Sequence, residues 1–247
     1  MVAMLLGLLN YKAMQIVNTL KCNFACRHCL EMCSPRRTEV LDNHTLIRFM
    51  EKAGGYGEYS INYCGGETFM NPDWRWQIEY LSRQTENLRI VTNGSKFYTK
   101  NGNQTSLLKE FIECLEEIQY NCRISVIISN DEFHQEFYDK KDLYPLDMVI
   151  KNFRAEIPEN VFYEEDDRWR TNFVIPVGRA LKTGCWTDKG STFCSSFEPC
   201  LNADGKVYAC CNTRMEVGAV WDGDIDTWQE RYEKLVLPQN CLECQYR

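Results

Sequence analysis

Cys22-Asn23-Phe24-Ala25-Cys26-Arg27-His28-Cys29 is the stretch from which the fold is read. Its three cysteines stand at the spacing C-x3-C-x2-C, directly after an apolar run from Met14 to Leu20. A loop leaving a strand there can wrap three thiolates around one corner of a metal cluster, and thiolates are preferred ligands of iron–sulfur clusters. Three protein ligands on a four-iron cube leave one iron open for chemistry. A zinc knuckle and buried free cysteines are the competing readings. Structural zinc takes four protein ligands, and no fourth Cys or His follows at a regular spacing. Cys33, past Leu30-Glu31-Met32, reads as a satellite thiol.

The composition narrows the classes. A chain of 247 residues supports one sizeable core and a small appendage. Its net charge is -7, with only isolated basic pairs such as Arg36-Arg37 and Lys140-Lys141. That speaks against a nucleic-acid partner, because phosphate binding needs clustered Lys and Arg. Fourteen cysteines demand a reason. Secretion with disulfides is one. However, Met1–Leu9 lacks a basic flank and a cleavage site, and it is too short to span a bilayer. The expectation is a reducing cytoplasmic location, with metal ligands and no membrane association. Met14 is an alternative start, and residues 1–13 read as an extension.

Strand and helix patterns alternate along the chain. Strands are expected at Met14–Leu20, Tyr59–Tyr63, Leu88–Val91, Arg123–Ile128, Val161–Tyr163 and Asn172–Val177. Helices are expected over Thr45–Ala53, Pro72–Leu81, a segment capped by Ser106, and Tyr144–Phe153. Such alternation implies an α/β fold with a parallel sheet, and six strands suit a partial barrel. The unusual residues fall immediately after strands: the cysteines, Gly65-Gly66-Glu67, Thr92-Asn93-Gly94, Ser129-Asn130 and Gly178-Arg179. The C-terminal ends of parallel strands share one face, where ligands bind. From Leu181 onward the alternation stops and seven cysteines crowd the remaining stretch, around a hairpin turn at Asn202–Lys206. A metal centre would supply what so small an apolar core cannot.

Cys22-x3-Cys26-x2-Cys29 followed by Gly65-Gly66-Glu67 resembles the radical S-adenosylmethionine (SAM) superfamily. The C-terminal stretch is similar to the SPASM/twitch subgroup: Cys194, a hairpin with Asp204-Gly205, Cys210, Gly218, Ile225, Trp228 and Cys241-x2-Cys244. Gly178-Arg179-Ala180 also fits that subgroup. The resemblance implies a (β/α)6 partial barrel over residues 14–180 and an auxiliary-cluster module over 181–247. It implies a SAM-binding [4Fe-4S] cluster on Cys22, Cys26 and Cys29. Gly65 and Gly66 would let backbone approach the SAM methionine, and Glu67 would help hold its ammonium. His28 would lie near the adenine, with Thr92, Asn93, Ser125, Ser129 and Arg179 as further contacts. One auxiliary [4Fe-4S] cluster is implied on Cys194, Cys210, Cys241 and Cys244, with Cys200 and Cys211 as competitors. The chemistry implied is reductive SAM cleavage to a 5′-deoxyadenosyl radical, fed by a reductant such as flavodoxin or ferredoxin.

Two substrate classes suit that architecture: a ribosomal peptide to be crosslinked or epimerised, and a small-molecule alcohol to be oxidised. The peptide is the first expectation, because the subgroup is rich in peptide-modifying enzymes. Cys22 comes too early for an N-terminal leader-binding domain, so a separate leader-binding protein is a possible partner. Cys64, Glu132 and His134 are the catalytic candidates. Cys64 would donate hydrogen, and the others would move protons in the stretch Ser129–His134. The same stretch also reads as a helix cap, with Asn130 or Asp131 as the capping residue, and Cys64 as an inert buried thiol. An iron–sulfur electron carrier and a glycyl-radical activase are the readings from other classes. The glycine pair argues against the first and the C-terminal cysteines against the second.

Overall fold

Four hydrophobic β-α repeats lay down the sheet. The computed structural model describes residues 12–53, 59–164, 199–209 and 216–234. The strands are β1 (Lys12–Val17), β2 (Tyr59–Cys64), β3 (Asn87–Thr92), β4 (Arg123–Ile128) and β5 (Val161–Tyr163). The helices are α1 (Asn43–Ala53), α2 (Trp74–Ser82), α3 (Ser106–Ile118), α4 (Glu132–Lys140) and α5 (Leu146–Glu156). β1 to β5 pair in parallel, each with its sequence neighbour. Parallel pairing forces each connection to cross over one face of the sheet, and the helices occupy those crossovers.

The two faces of the sheet differ because side chains alternate along each strand. Met14, Ile16, Ile61, Tyr63, Leu88, Ile90, Ile124 and Val126 are buried in one core with Leu46, Phe49, Ile78, Phe111 and Phe153 of the helices. The opposite face carries a polar row in register: Gln15 beside Asn62, Asn62 beside Arg89, Arg89 beside Ser125. A sheet with helices on one side and polar groups on the other is the wall of an open barrel.

The last described segment continues this sheet beyond β1. β6 (Cys200–Leu201) pairs in parallel with β1, and β7 (Lys206–Tyr208) and β8 (Glu216–Ala219) follow antiparallel, giving the order β5-β4-β3-β2-β1-β6-β7-β8. The expected hairpin turn is present. Gly205 takes φ +79°, which a residue without Cβ adopts freely. Helix α6 (Ile225–Glu233) then stacks its buried Trp228 on Phe49 of α1. The hairpin thus shares the barrel's core.

Boundaries depart from the sequence expectations at several places. β1 runs over Lys12–Val17, not Met14–Leu20, and so begins inside the stretch read as an extension. Asn71 precedes Pro72 and is extended, as a pre-proline residue prefers. The expected helix from Pro72 therefore becomes a short 3-10 turn, Thr68–Met70, and α2 starting at Trp74. Tyr144 precedes Pro145, and for the same reason α5 starts at Leu146. Thr105 caps α3 by accepting from the Leu108 N–H, with Ser106 inside the helix. Asn172–Val177, Gly178-Arg179-Ala180 and the cysteines at 185, 194, 210, 211, 241 and 244 lie outside the described residues. No helix among the described residues is long and apolar enough to cross a membrane.

Candidate functional site

A buried polar network fixes the root of the cysteine loop. Asn18 follows β1 and is fully buried. Its amide donates to the Tyr63 hydroxyl (2.8 Å) and to the Thr68 carbonyl (2.9 Å), and its backbone N–H donates to the Cys64 carbonyl (2.7 Å). Asn71 and Gln77 extend the network: the Asn71 amide donates to the Asn18 carbonyl (3.0 Å), and Tyr63 donates to Gln77 (2.8 Å). Every donor of the Asn18 amide and backbone is engaged, only its side-chain oxygen accepting nothing among the described residues, and buried networks of this kind favour one geometry. The loop therefore leaves β1 in a fixed direction.

Gly65 and Gly66 run alongside that loop. The Gly66 N–H donates to the Thr19 carbonyl (2.7 Å), and the Glu67 N–H to the Lys21 carbonyl (3.0 Å). A Cβ on Gly65 would sit 2.5 Å from the Asn18 side-chain oxygen and 2.7 Å from the Thr19 carbonyl oxygen. One on Gly66 would sit 2.2 Å from the Lys21 carbonyl oxygen and 2.9 Å from the Cys22 Cβ. The glycine pair is thus required by backbone packing beneath the cysteines.

Three donors point at the cysteine sulfurs. The Phe24 N–H and the Asn93 amide donate to Cys22 Sγ (3.3 and 3.8 Å), and the Cys33 N–H donates to Cys29 Sγ (3.2 Å). N–H groups aimed at sulfur favour thiolates, the form that binds metal. Burial, with the Glu67 charge behind it, pushes the Cys22 thiol well above its ordinary range. A cation at the site would reverse that penalty. The only set of three metal-capable side chains with ligand atoms within 4.8 Å of one another, among the described residues, is His28, Asp131 and His134. A single zinc ion would draw thiolates to roughly 3.8 Å apart, from a Zn–S bond of about 2.3 Å in tetrahedral geometry. The looser cysteine triad and its donors fit a polynuclear cluster better than one ion.

The ends of β3 and β4 close the site. Thr92 Oγ1 donates to Glu67 (2.7 Å), and the Asn93 N–H donates to the other Glu67 oxygen (2.9 Å). Glu67 is 1 % exposed, and its carboxylate also caps the 3-10 turn through Phe69 N. Burial raises its pKa, against those hydrogen bonds. Asn93 reaches forward to Asn23 (3.0 Å), tying β3 to the cysteine loop. After β4, Asp131 caps α4 by accepting from the Phe133 and His134 N–H groups, both at 2.9 Å. The same carboxylate meets His134 Nδ1 at 2.7 Å and His28 Nε2 at 3.4 Å. Burial disfavours charge on Asp131, but the two histidines outweigh it and hold the carboxyl well below its usual range. For His134, burial lowers the pKa, and hydrogen bonds to Asp131 and then Cys26 raise it to about 10.

These elements enclose a cavity of about 210 Å³ at the C-terminal ends of β1 to β4. Of the residues expected from sequence, Cys22, Cys26, Cys29, His28, Cys64, Gly65, Gly66, Thr92, Asn93, Ser129 and His134 line it. Glu67 lies behind the wall, engaged with Thr92 and Asn93. Ser125 sits farther down the strand, donating to Glu164 (2.6 Å) in a separate hollow shared with Arg89. Glu132 is exposed on the first turn of α4. Arg179, Cys194, Cys210, Cys241 and Cys244 lie outside the described residues, whereas Cys200 is buried in β6. The structure adds Cys33, Asn23 and Asp131. The sequence reads Cys33 as a satellite thiol and Asp131 as a helix cap, and carries no signal for Asn23.

No family model matches the sequence. A 124-residue stretch is 28 % identical to the antilisterial bacteriocin subtilosin biosynthesis protein AlbA of Bacillus subtilis (strain 168), covering 49 % of this chain and 24 % of that protein. The matched stretch thus spans about a quarter of that relative's length. Among solved structures, BtrN in complex with AdoMet and 2-DOIA superposes with a TM-score of 0.59 at 15 % identity, covering 96 % of this chain and 87 % of that one. Native anSMEcpe with bound AdoMet gives 0.55 at 12 % identity, covering 95 % and 86 %. At these identities the two structures speak for the shared partial-barrel fold.

Proposed function

We propose that this chain, a member of the radical SAM superfamily, cleaves S-adenosylmethionine reductively and abstracts hydrogen from an unactivated C–H of a peptide. One observation carries the reading: three cysteines, two of them buried and two with N–H donors on their sulfurs, line a cavity at the strand ends, seated on a glycine pair whose added Cβ atoms would clash. Cys22, Cys26 and Cys29 would hold a [4Fe-4S] cluster. That cluster with SAM, once reduced by a flavodoxin- or ferredoxin-like donor, supplies the carbon-centred radical.

The chain's own groups bind, orient and exclude water. Gly65 and Gly66 keep the cysteine loop seated and leave backbone at the cavity wall. Thr92, Asn93 and Ser129 offer polar atoms to the SAM methionine and ribose. Glu67 acts one step back, holding Thr92 and Asn93 in place. His28 stacks on Phe133 with ring centroids 4.4 Å apart, a flat wall suited to an adenine. His134 is the cavity's candidate for moving a proton, and Cys64 its candidate hydrogen donor. Glu132, exposed on the outer side of α4, takes no part in this proposal.

We divide the chain into a barrel over 14–180 and an auxiliary module over 181–247, with one further [4Fe-4S] cluster on Cys194, Cys210, Cys241 and Cys244. Arg179 stands at their boundary as a SAM contact. The peptide substrate is supported by the similarity to a bacteriocin biosynthesis protein. Oxidation of a small-molecule alcohol is the second reading, favoured by the likeness to BtrN, whose structure holds 2-DOIA.

The test is anaerobic. Reconstituted, reduced protein is incubated with SAM and 5′-deoxyadenosine is quantified, for wild type and a Cys22/Cys26/Cys29→Ala variant. Nucleoside from wild type alone supports the reading, and none from either refutes it. Transfer of deuterium from a perdeuterated peptide into the nucleoside separates the two substrate classes. Its absence, with transfer from a deuterated small-molecule alcohol, favours the second.

A further inference from the structure

The polar row on the inner face of the sheet joins two hollows. Gln15 lines the cavity of the cysteines, and in register with it stand Asn62, Arg89 and Ser125 on β2, β3 and β4. Arg89 and Ser125 line a second hollow of about 470 Å³, whose wall also holds Ser60, Asn87 and Arg123. That volume lies within the range of small-ligand pockets. Val91, two residues on from Arg89, lines the first cavity. The two hollows are thus successive steps on one wall.

Two guanidinium groups border the second hollow, and each is held in place by a partner. Arg89 pairs with Glu164 at 3.0 Å, and the other oxygen of that carboxylate accepts from the Ser125 hydroxyl at 2.6 Å. Arg123, opposite Asn87 on the neighbouring strand, lies over the Phe162 ring with its guanidinium carbon 4.8 Å from the centroid. An aromatic ring holds a guanidinium without neutralising its charge. The lining therefore sets two positive charges against one carboxylate, and both oxygens of that carboxylate are engaged. In a chain of net charge -7, this is a local excess of positive charge, inside the barrel wall.

We infer that this hollow binds an oxyanion, and that the anion is a carboxylate of the peptide substrate held by Arg89 and Arg123. The identity of the anion rests on the peptide reading of the function. A guanidinium presents paired N–H donors that match the two oxygens of a carboxylate. Glu164 orients Arg89 and leaves Arg123 its charge. At about 3.3 Å per strand residue, Arg89 lies about 7 Å and the level of Arg123 about 13 Å from Val91 along the sheet. An extended peptide covers that span in about two to four residues. The carboxylate recognised would stand that far from the residue that loses hydrogen.

Phenylglyoxal, which modifies accessible arginines, gives the test. Anaerobically reconstituted wild type is treated with it at constant ionic strength, and the rate at each arginine is read by peptide mass spectrometry. The probes are N-acetylglutamate α-amide, N-acetylglutamine with its free α-carboxylate, inorganic phosphate, and the neutral N-acetylglutamine amide. At about ten times its Kd, a carboxylate probe should slow modification of Arg89 and Arg123 about tenfold. The neutral amide should not, and Arg48, exposed on α1, should react as before. The better carboxylate probe tells an acidic side chain from a peptide C-terminus. Protection by phosphate alone overturns the carboxylate assignment. Unchanged rates with every probe, or slowing of Arg48 in step, overturn the site. Protein that forms 5′-deoxyadenosine but shows no protection overturns only the anion site. Protection without any SAM cleavage overturns the functional reading and leaves the anion site standing.

Discussion

Cysteines in two regions of this protein sit in opposite surroundings. Cys114, on α3, is fully buried in the hydrophobic core, and Cys122, just before β4, is packed partly against it. Burial pushes their thiols up to about 12 and about 11. Cys22, Cys26 and Cys29 are also largely shielded from water, yet they share one cavity and two of their sulfurs receive N–H donors. Burial therefore does not distinguish a ligand from a packing residue. Convergence on a common space and donors aimed at sulfur do.

The largest effect is expected from breaking the ligand set. Cys26→Ala should remove SAM cleavage to below detection, read as 5′-deoxyadenosine. Retained cleavage would mean that Cys26 belongs with Cys114. Next is Gly66→Ala, whose Cβ would meet the Lys21 carbonyl and the Cys22 side chain. Forced overpacking costs about 1–3 kcal/mol. The displaced loop should lower both the unfolding midpoint and the iron retained after desalting. Asn93→Ala removes one donor to Cys22 and the tie to Asn23. Loss of such an outer partner should lower the SAM cleavage rate by about tenfold, with the fold intact. Cys114→Ala should cost only about 1 kcal/mol in denaturant unfolding, since it deletes a small buried group, and should leave iron content unchanged. Glu132→Ala, at an exposed position, should stay within about 0.5 kcal/mol of wild type with unaltered SAM cleavage.

Much of this was legible in the sequence because it is local. Strand patterns at Tyr59–Cys64 and Arg123–Ile128, the hairpin at Asn202–Lys206 and the placement of cysteines and glycines after strands each need only a few neighbouring residues. What escaped depends on contacts between distant segments. The glycine pair lines the cavity, and what the sequence does not show is the packing that demands glycine, from Asn18, Thr19, Lys21 and Cys22. Glu67 had the type of a ligand clamp, and its partners on β3 take up its oxygens. Ser125 lies on a strand, as expected, but below the cavity. Asp131 looked like a cap, and nothing nearby in sequence signals that His28 would reach it. The parallel pairing of Cys200–Leu201 with β1 is similarly silent, because two residues carry no period.

The most direct test of the central claim is the EPR spectrum of anaerobically reconstituted, reduced protein before and after addition of SAM. The account predicts a [4Fe-4S]+ signal whose shape changes with SAM. The SAM-sensitive part should disappear in the Cys22/Cys26/Cys29→Ala variant. A protein that retains zinc in place of iron, or a cluster signal indifferent to SAM, would contradict it.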